Sequence, residues 1–196
     1  VDETFLDARP ACEHADLIVL CTPANLVAPK LDEIRPVCAP HAVITDVAST
    51  KGTICAHAAA TWPAPRRFVG SHPMAGSEKF GAEHGDAELY AGCVTVMEPE
   101  DGIAPDAYAT VQRLWESVGA RIAVMDPHAH DALVARTSHI PHIVAACLAE
   151  LADEAGDVRA VVGKGFRDVT RIAEGRPEIW RDICVTNQEA IAAGLE

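Results

Sequence analysis

The chain has 196 residues, with 16 Lys and Arg against 29 Asp and Glu and a formal charge of −13 when histidines are neutral. A surface this acidic repels phosphate backbones and anionic lipid, so neither nucleic acid nor a membrane surface is an expected partner. Apolar residues make up 49%, too many for a disordered chain, and no unbroken apolar run reaches the ~20 residues of a spanning helix.

In chain order, Leu17-Ile18-Val19-Leu20-Cys21 is a branched apolar run of strand length, ended by Thr22-Pro23, and predicts a strand buried on both faces. Val27, Leu31, Ile34 and Cys38 then recur at helical spacing, predicting a helix closed by Pro40. Val43 to Val47 is a second strand, followed by a Ser-Thr-Lys-Gly turn and an alanine-rich helix ending near Trp62-Pro63. Phe68-Val69-Gly70 is a third strand and Cys93 to Met97 a fourth. A helix with Val111, Leu114, Trp115 and Val118 on one face precedes a strand from Arg121 to Met125. This alternation predicts a parallel sheet covered by helices.

From Asp126 the pattern changes. Asp126 as N-cap and Pro127 at the first helical position start a helix, and only helices follow. One runs from about Pro127 to Ala155 and should kink at Pro141, whose missing N–H leaves the Thr137 carbonyl without its helical partner. Gly163 and Gly165 break the chain before Phe166 to Ala173. A last helix from Pro177 carries Trp180, Cys184, Asn187 and Ile191 on one face. The expected domains are 1–125 and 126–196. The seven cysteines, with no C-x-x-C pair, read as reduced, mostly buried thiols rather than a disulfide framework or zinc site. With no basic start and apolar run at the N-terminus, a cytoplasmic protein is expected.

Several residues stand where open α/β sheets bind ligands, at the ends of strands. His72, in Gly70-Ser71-His72-Pro73-Met74-Ala75-Gly76, has the residue type for a general base near neutral pH, or is a turn histidine bonded to the backbone. Ser49 and Thr50, in Asp46-Val47-Ala48-Ser49-Thr50-Lys51-Gly52, cap the next helix or meet a polar ligand group at its N-terminus. Thr22-Pro23 follows the first strand, so three polar turns line one crevice. In the helical part, His139 and His142 lie three apart beside Pro141, with His130 upstream. A zinc site is the alternative there, but no third ligand is paired at recognised spacing, and Asp131 and Glu150 read as ordinary surface residues. Arg167, Arg171 and Arg181 gather positive charge in a chain short of cations. They suit bidentate capture of a carboxylate, or else make surface pairs with Asp168 or Glu174.

Asp16 to Pro23 (DLIVLCTP), Asp46 to Gly52 (DVASTKG), Gly70 to Glu78 (GSHPMAGSE), Thr137 to His142 (TSHIPH) and Phe166 to Asp182 (FRDVTRIAEGRPEIWRD) together resemble the prephenate/arogenate dehydrogenase family of tyrosine biosynthesis. The resemblance implies a partial, Rossmann-type NAD(P)-binding α/β domain followed by an all-α substrate and dimerisation domain. The implied reaction is oxidative decarboxylation of prephenate or arogenate to 4-hydroxyphenylpyruvate or tyrosine, with NAD or NADP as cofactor and a homodimer as the assembly. By the same resemblance, His72 is the base and Ser49 its companion at the substrate hydroxyl. Arg171 holds a carboxylate with His142 nearby, and His130 and His139 support them. Trp180 and Arg181 lie near the substrate side chain, and Glu78 pairs with the arginine when the site is empty. Thr22, Pro23, Asp46 and Ser49 fall to the cofactor, and no metal is implied.

The glycine-rich G-x-G-x-x-G loop of that family is absent, so the chain reads as an internal piece with about two strands of a Rossmann half before Val1. The family's helical domain also extends further than Glu196. Lys164 replaces a residue of a Gly-rich run. Two other readings are carried: another NAD(P)-dependent dehydrogenase acting on a hydroxy acid, and a non-catalytic dimerisation or regulatory module. Formation of an aromatic product separates the first from both.

Overall fold

The computed structural model describes residues 2–76 and 82–196. Contacts divide the chain into two compact units, Val1–His130 and Asp131–Glu196.

The first unit is α/β. After a short helix α1 (Ala8–Cys12), strands β1 (Leu17–Leu20), β2 (Val43–Asp46) and β3 (Phe68–Val69) form a parallel sheet in that order. Leu17 lies opposite Val43, and Thr45 opposite Val69. Helices α2 (Ala24–Ile34) and α3 (Gly52–Thr61) cross between them. Val27, Leu31 and Ile34 of α2 pack with Ile44, Ile54 and Phe68 on one side of the sheet. On the other side, Val43 and Val69 pack with Val111 and Trp115 of α4 (Pro105–Ser117). Parallel strands with helices on both faces bear out the Rossmann-type expectation.

Three details differ from the sequence reading. Helix α2 stops at Ile34 instead of near Pro40: Arg35 still has helical geometry and bonds back to Leu31, but Pro36 has no amide hydrogen to continue the ladder. On strand β1, expected to be buried on both faces, Val19 is 37% exposed. And His72 does not sit in a turn after the third strand. It lies inside a separate strand β4 (Ser71–Pro73), antiparallel to β5 (Val94–Met97), which pairs parallel with β6 (Arg121–Val124).

Gly70 is the switch between the two sheets. A Cβ there would collide with the Cys55 sulfur and come within 3.3 Å of Glu98 Oε1. Beyond Gly70 the Ser71 amide donates to Asp46 Oδ1 at 3.1 Å, so a side chain ties β4 to the end of β2 in the absence of a ladder bond. Glu98 accepts from the Gly70 amide and pairs with Arg66, and burial pushes its carboxyl pKa up.

In the helical unit, α5 (Pro127–Val134) begins as the sequence predicts. Asp126 Oδ1 accepts from the amides of His128 and Ala129, each at 2.9 Å. The irregularity ahead of Pro141 is a π-helical turn, Ala135–His139, in which the Ile140 amide reaches back five residues to the Ala135 carbonyl. The helix resumes as α6 (Ile140–Glu154). A widened turn thus stands just ahead of the missing proline donor, where the sequence predicts a kink, and such turns are themselves a cause of bending. From Pro127 to Glu154 this helix spans 28 residues, long and apolar enough by length and composition to cross a membrane. It carries the buried side chains of His139 and His142 and packs against α7 (Lys164–Thr170), a 3₁₀ turn (Arg171–Glu174) and α9 (Gln188–Leu195). Asn187 separates α9 from α8 (Pro177–Thr186), dividing the single last helix that was expected. Of the cysteines, Cys12 and Cys55 are buried, Cys38, Cys93 and Cys184 intermediate, and Cys21 and Cys147 exposed, so fewer are buried than expected.

Candidate active site

The turns after β1 and β2 lie at the same edge of the parallel sheet. Helix α2 starts at Ala24 with Pro23 before it and no side-chain cap. Beside it, the Thr22 hydroxyl oxygen is buried with no hydrogen-bond partner among the described residues. Such an oxygen is costly to leave unpaired and gains when a ligand pairs with it. An uncapped helix start next to it attracts anionic groups. A dinucleotide's ribose and phosphates therefore fit this turn. After β2, Ser49 is half-buried and the N-cap position of α3 belongs to Lys51.

Lys51 makes no cap either. It is 1% exposed, and its ammonium pairs with Asp46 Oδ2 and donates to the Ser71 carbonyl at 2.8 Å. Asp46 also accepts from the Ala48 amide at 3.1 Å and is fully buried, so its carboxylate is directed into the protein. The Ser71 hydroxyl donates to the Asp46 carbonyl at 2.7 Å and accepts from the Trp115 indole at 3.0 Å. A buried ion pair with each partner further hydrogen-bonded thus clamps the residue before His72.

His72 is half-buried on β4, opposite Val96. Its Nδ1 lies 2.9 Å from Nε2 of His130, with ring planes at 81°. His130 is 1% exposed, and its amide donates to the Asp126 carbonyl at 2.8 Å.

The helical unit assembles a second group. The Trp180 ring stacks on His142, centroids 3.5 Å apart, and meets His139 edge-on at 6.2 Å. His142 Nδ1 donates to the Ile172 carbonyl at 2.8 Å, and burial lowers its pKa against the opposing effect of that bond. The histidine is thereby pushed toward its neutral form. His139 is 2% exposed, its Nδ1 accepting from the Asn187 amide at 3.0 Å; the same amide donates to the Asp131 carbonyl. Asp131 is itself buried, 5% exposed, and is no surface residue.

Arg171 is exposed on the 3₁₀ turn. Arg181 pairs with the buried carboxylate of Asp182 at 2.9 Å. Asp168 pairs with Lys164, while Arg167 donates to the Val162 carbonyl, so the suggested Arg167–Asp168 pair does not form. Glu78 lies outside the described residues. Among the described residues no group of three or more His, Cys, Asp or Glu could hold a metal ion.

Sequence reading assigned no site role to Lys51, Asn187 or Gly175. A Cβ on Gly175 would overlap the Trp180 indole nitrogen and come within 2.8 Å of Cδ1. The signal for Lys51 was present in its spacing from Asp46, five residues on across one turn. Nothing local marks Asn187, whose partners lie 48 and 56 residues away.

The family model for the prephenate dehydrogenase nucleotide-binding domain matches residues 2–124, and that for the prephenate dehydrogenase dimerization domain matches residues 126–196. The chain is 33% identical over 184 residues to a prephenate dehydrogenase of Bacillus subtilis (strain 168), covering 91% of this chain and 50% of the relative. It is 31% identical over 201 residues to a cyclohexadienyl dehydrogenase of Zymomonas mobilis, covering 100% and 68%. The chain thus spans about half to two thirds of these relatives' length. The crystal structure of the prephenate dehydrogenase from A. aeolicus in complex with hydroxyphenyl propionate and NAD+ superposes with a TM-score of 0.92 at 30% identity, covering 100% of this chain and 69% of that one.

Proposed function

Because the chain belongs to the prephenate dehydrogenase family, we propose that the full-length protein oxidatively decarboxylates prephenate or arogenate to 4-hydroxyphenylpyruvate or tyrosine. When bound, NAD or NADP supplies the hydride acceptor for the ring carbon that bears the hydroxyl. We assign Thr22, Pro23 and Ser49 to holding it, with Asp46 shaping the turn from behind through its buried carboxylate.

The observation that carries the reading is a histidine fixed between a clamped strand and a buried partner ring in a nucleotide-binding fold. His72 takes the hydroxyl proton as the C–O bond gains carbonyl character, and Ser49 shares a hydrogen bond with that oxygen. The ring carboxylate then leaves as CO2, its bonding pair enters the ring, and the oxygen of the new phenol recovers the proton from His72. Charge and protons balance without a further acid. Arg171 and Arg181 hold the substrate's carboxylate and side chain, with Trp180 and neutral His142 as packing and hydrogen-bonding neighbours, Glu78 as the arginine's alternative partner, and His139 and His130 in support. Exposed Leu151, Val161, Val185 and Leu195 on the helical unit support a homodimer, and we place the enzyme in the cytoplasm.

In the full-length protein His72→Asn should lower kcat by about 10²–10⁴-fold, the usual contribution of a positioned base, while cofactor affinity measured calorimetrically stays unchanged. Full activity in that variant overturns the assignment of the base. An absence of aromatic product from both prephenate and arogenate overturns the reaction.

A further inference from the structure

We infer that His130 is the positioning residue of His72: it holds the base through Nδ1, in the tautomer that leaves the lone pair on Nε2. The inference deepens the proposed function and rests on His72 being the base.

Two rings whose nitrogens lie 2.9 Å apart share a single proton at that contact. If His130 donates, His72 carries its own proton on Nε2 and cannot accept one there. If His72 donates, its proton sits on Nδ1 and Nε2 is basic. Which nitrogen of a histidine is protonated is set by the hydrogen bond made by the other, so the state of His130 decides whether His72 can work. The arrangement has the logic of a nucleophile or base oriented by a third group, with an imidazole in the place a carboxylate often takes.

The surroundings suit an orienting role better than a substrate contact. His130 is 1% exposed, and its Nε2 is directed at His72. Its backbone is fixed in the first turns of α5, where Asp126 caps the helix and the Asp126 carbonyl accepts the His130 amide. His72 is fixed from the other side by the β4–β5 pairing and by the Lys51 and Asp46 bonds to Ser71. Both partners thus sit on rigid elements, and the edge-on ring geometry at 81° directs the nitrogen of one at the nitrogen of the other.

During the reaction the substrate O–H bond breaks and its proton joins His72 Nε2, while the O–H electron pair goes into the forming C=O bond. His72 becomes a cation, and its Nδ1–H bond to His130 strengthens because the donor is now charged. His130 neither gains nor loses a proton, and Nε2 returns its proton to the product phenol.

The test uses the full-length protein. His130→Leu removes the acceptor and His130→Gln restores a carbonyl oxygen at about the same reach. With Leu, kcat should fall ~10²-fold while substrate KM moves by less than about twofold, and Gln should recover most of the loss, since an interaction serving only the reacting step appears in kcat. Nitrogen-15 NMR of histidine-labelled protein should show neutral His72 protonated at Nδ1 in the parent and at Nε2 in the Leu variant. An Nε2-protonated His72 in the parent overturns the inference, and so does a His130→Leu variant that raises KM with kcat intact. If Leu prevents folding, the parent spectrum and the Gln variant still decide. Should His72→Asn prove fully active while the parent shows the Nδ1 tautomer, the reading of the base fails and the contact stands.

Discussion

Trp180 lies flat on His142, the two rings 3.5 Å apart and within 7° of parallel. The stack works only because position 175 is glycine: the indole edge occupies the space that any Cβ there would take. Gly175 shows no positive φ, so what is required of it is room and not conformational freedom. A tryptophan 26 residues beyond the end of α6 is thereby brought over a histidine 38 positions earlier in the chain.

Gly175→Ala should displace Trp180 from His142. Overpacking of this kind costs about 1–3 kcal/mol, read as a lowered denaturation midpoint, with a change in tryptophan fluorescence. Since Trp180 is proposed to border the substrate, KM should rise more than kcat falls. A variant with unchanged fluorescence and KM would show that the indole is not held by this contact.

His142 gives a pH dependence with a definite sign. Burial depresses its pKa in the folded chain below the ordinary 6.5, so the cation is disfavoured on folding. The stability contributed by the neutral ring is fully present above about pH 6.5 and is lost as pH falls through the folded pKa, because the unfolded chain binds the proton more readily. His142→Phe keeps the stack and removes the titration. Denaturant midpoints between pH 7 and pH 5 should therefore fall less steeply in that variant than in the parent; equal slopes would refute the assignment.

Lys51→Met should destabilise the protein by about 3–5 kcal/mol, because Asp46 is left as a buried charge without its partner. The double variant Lys51→Met with Asp46→Asn should recover part of that loss. Urea denaturation of the parent and the two variants measures it. A single variant as stable as the parent would mean that the pair does not hold the turn between β2 and α3.

Strand runs, helix faces and the Asp126-Pro127 start were legible because each depends on neighbours within a few residues. Leu17 to Leu20 is apolar and branched, Val27, Leu31 and Ile34 fall on one helix face, and Asp126 caps from its own position. The polar turns at Thr22, Ser49 and His72 were also marked, since each follows or interrupts an apolar run. The fate of their side chains was not. The family resemblance assigned Asp46 to the cofactor and left Lys51 unread, whereas burial joins the two and turns both away from solvent.

By itself, then, the order of residues determined an α/β unit followed by helices and the positions at which polar groups interrupt them, because periodicity and capping are local chemistry. Only the tertiary structure decided that β4 turns antiparallel after Gly70, that Trp180 covers His142, and that His72 meets His130 across 58 residues. Those outcomes depend on which atoms share a desolvated space, where each buried donor must find an acceptor and each side chain an unoccupied volume.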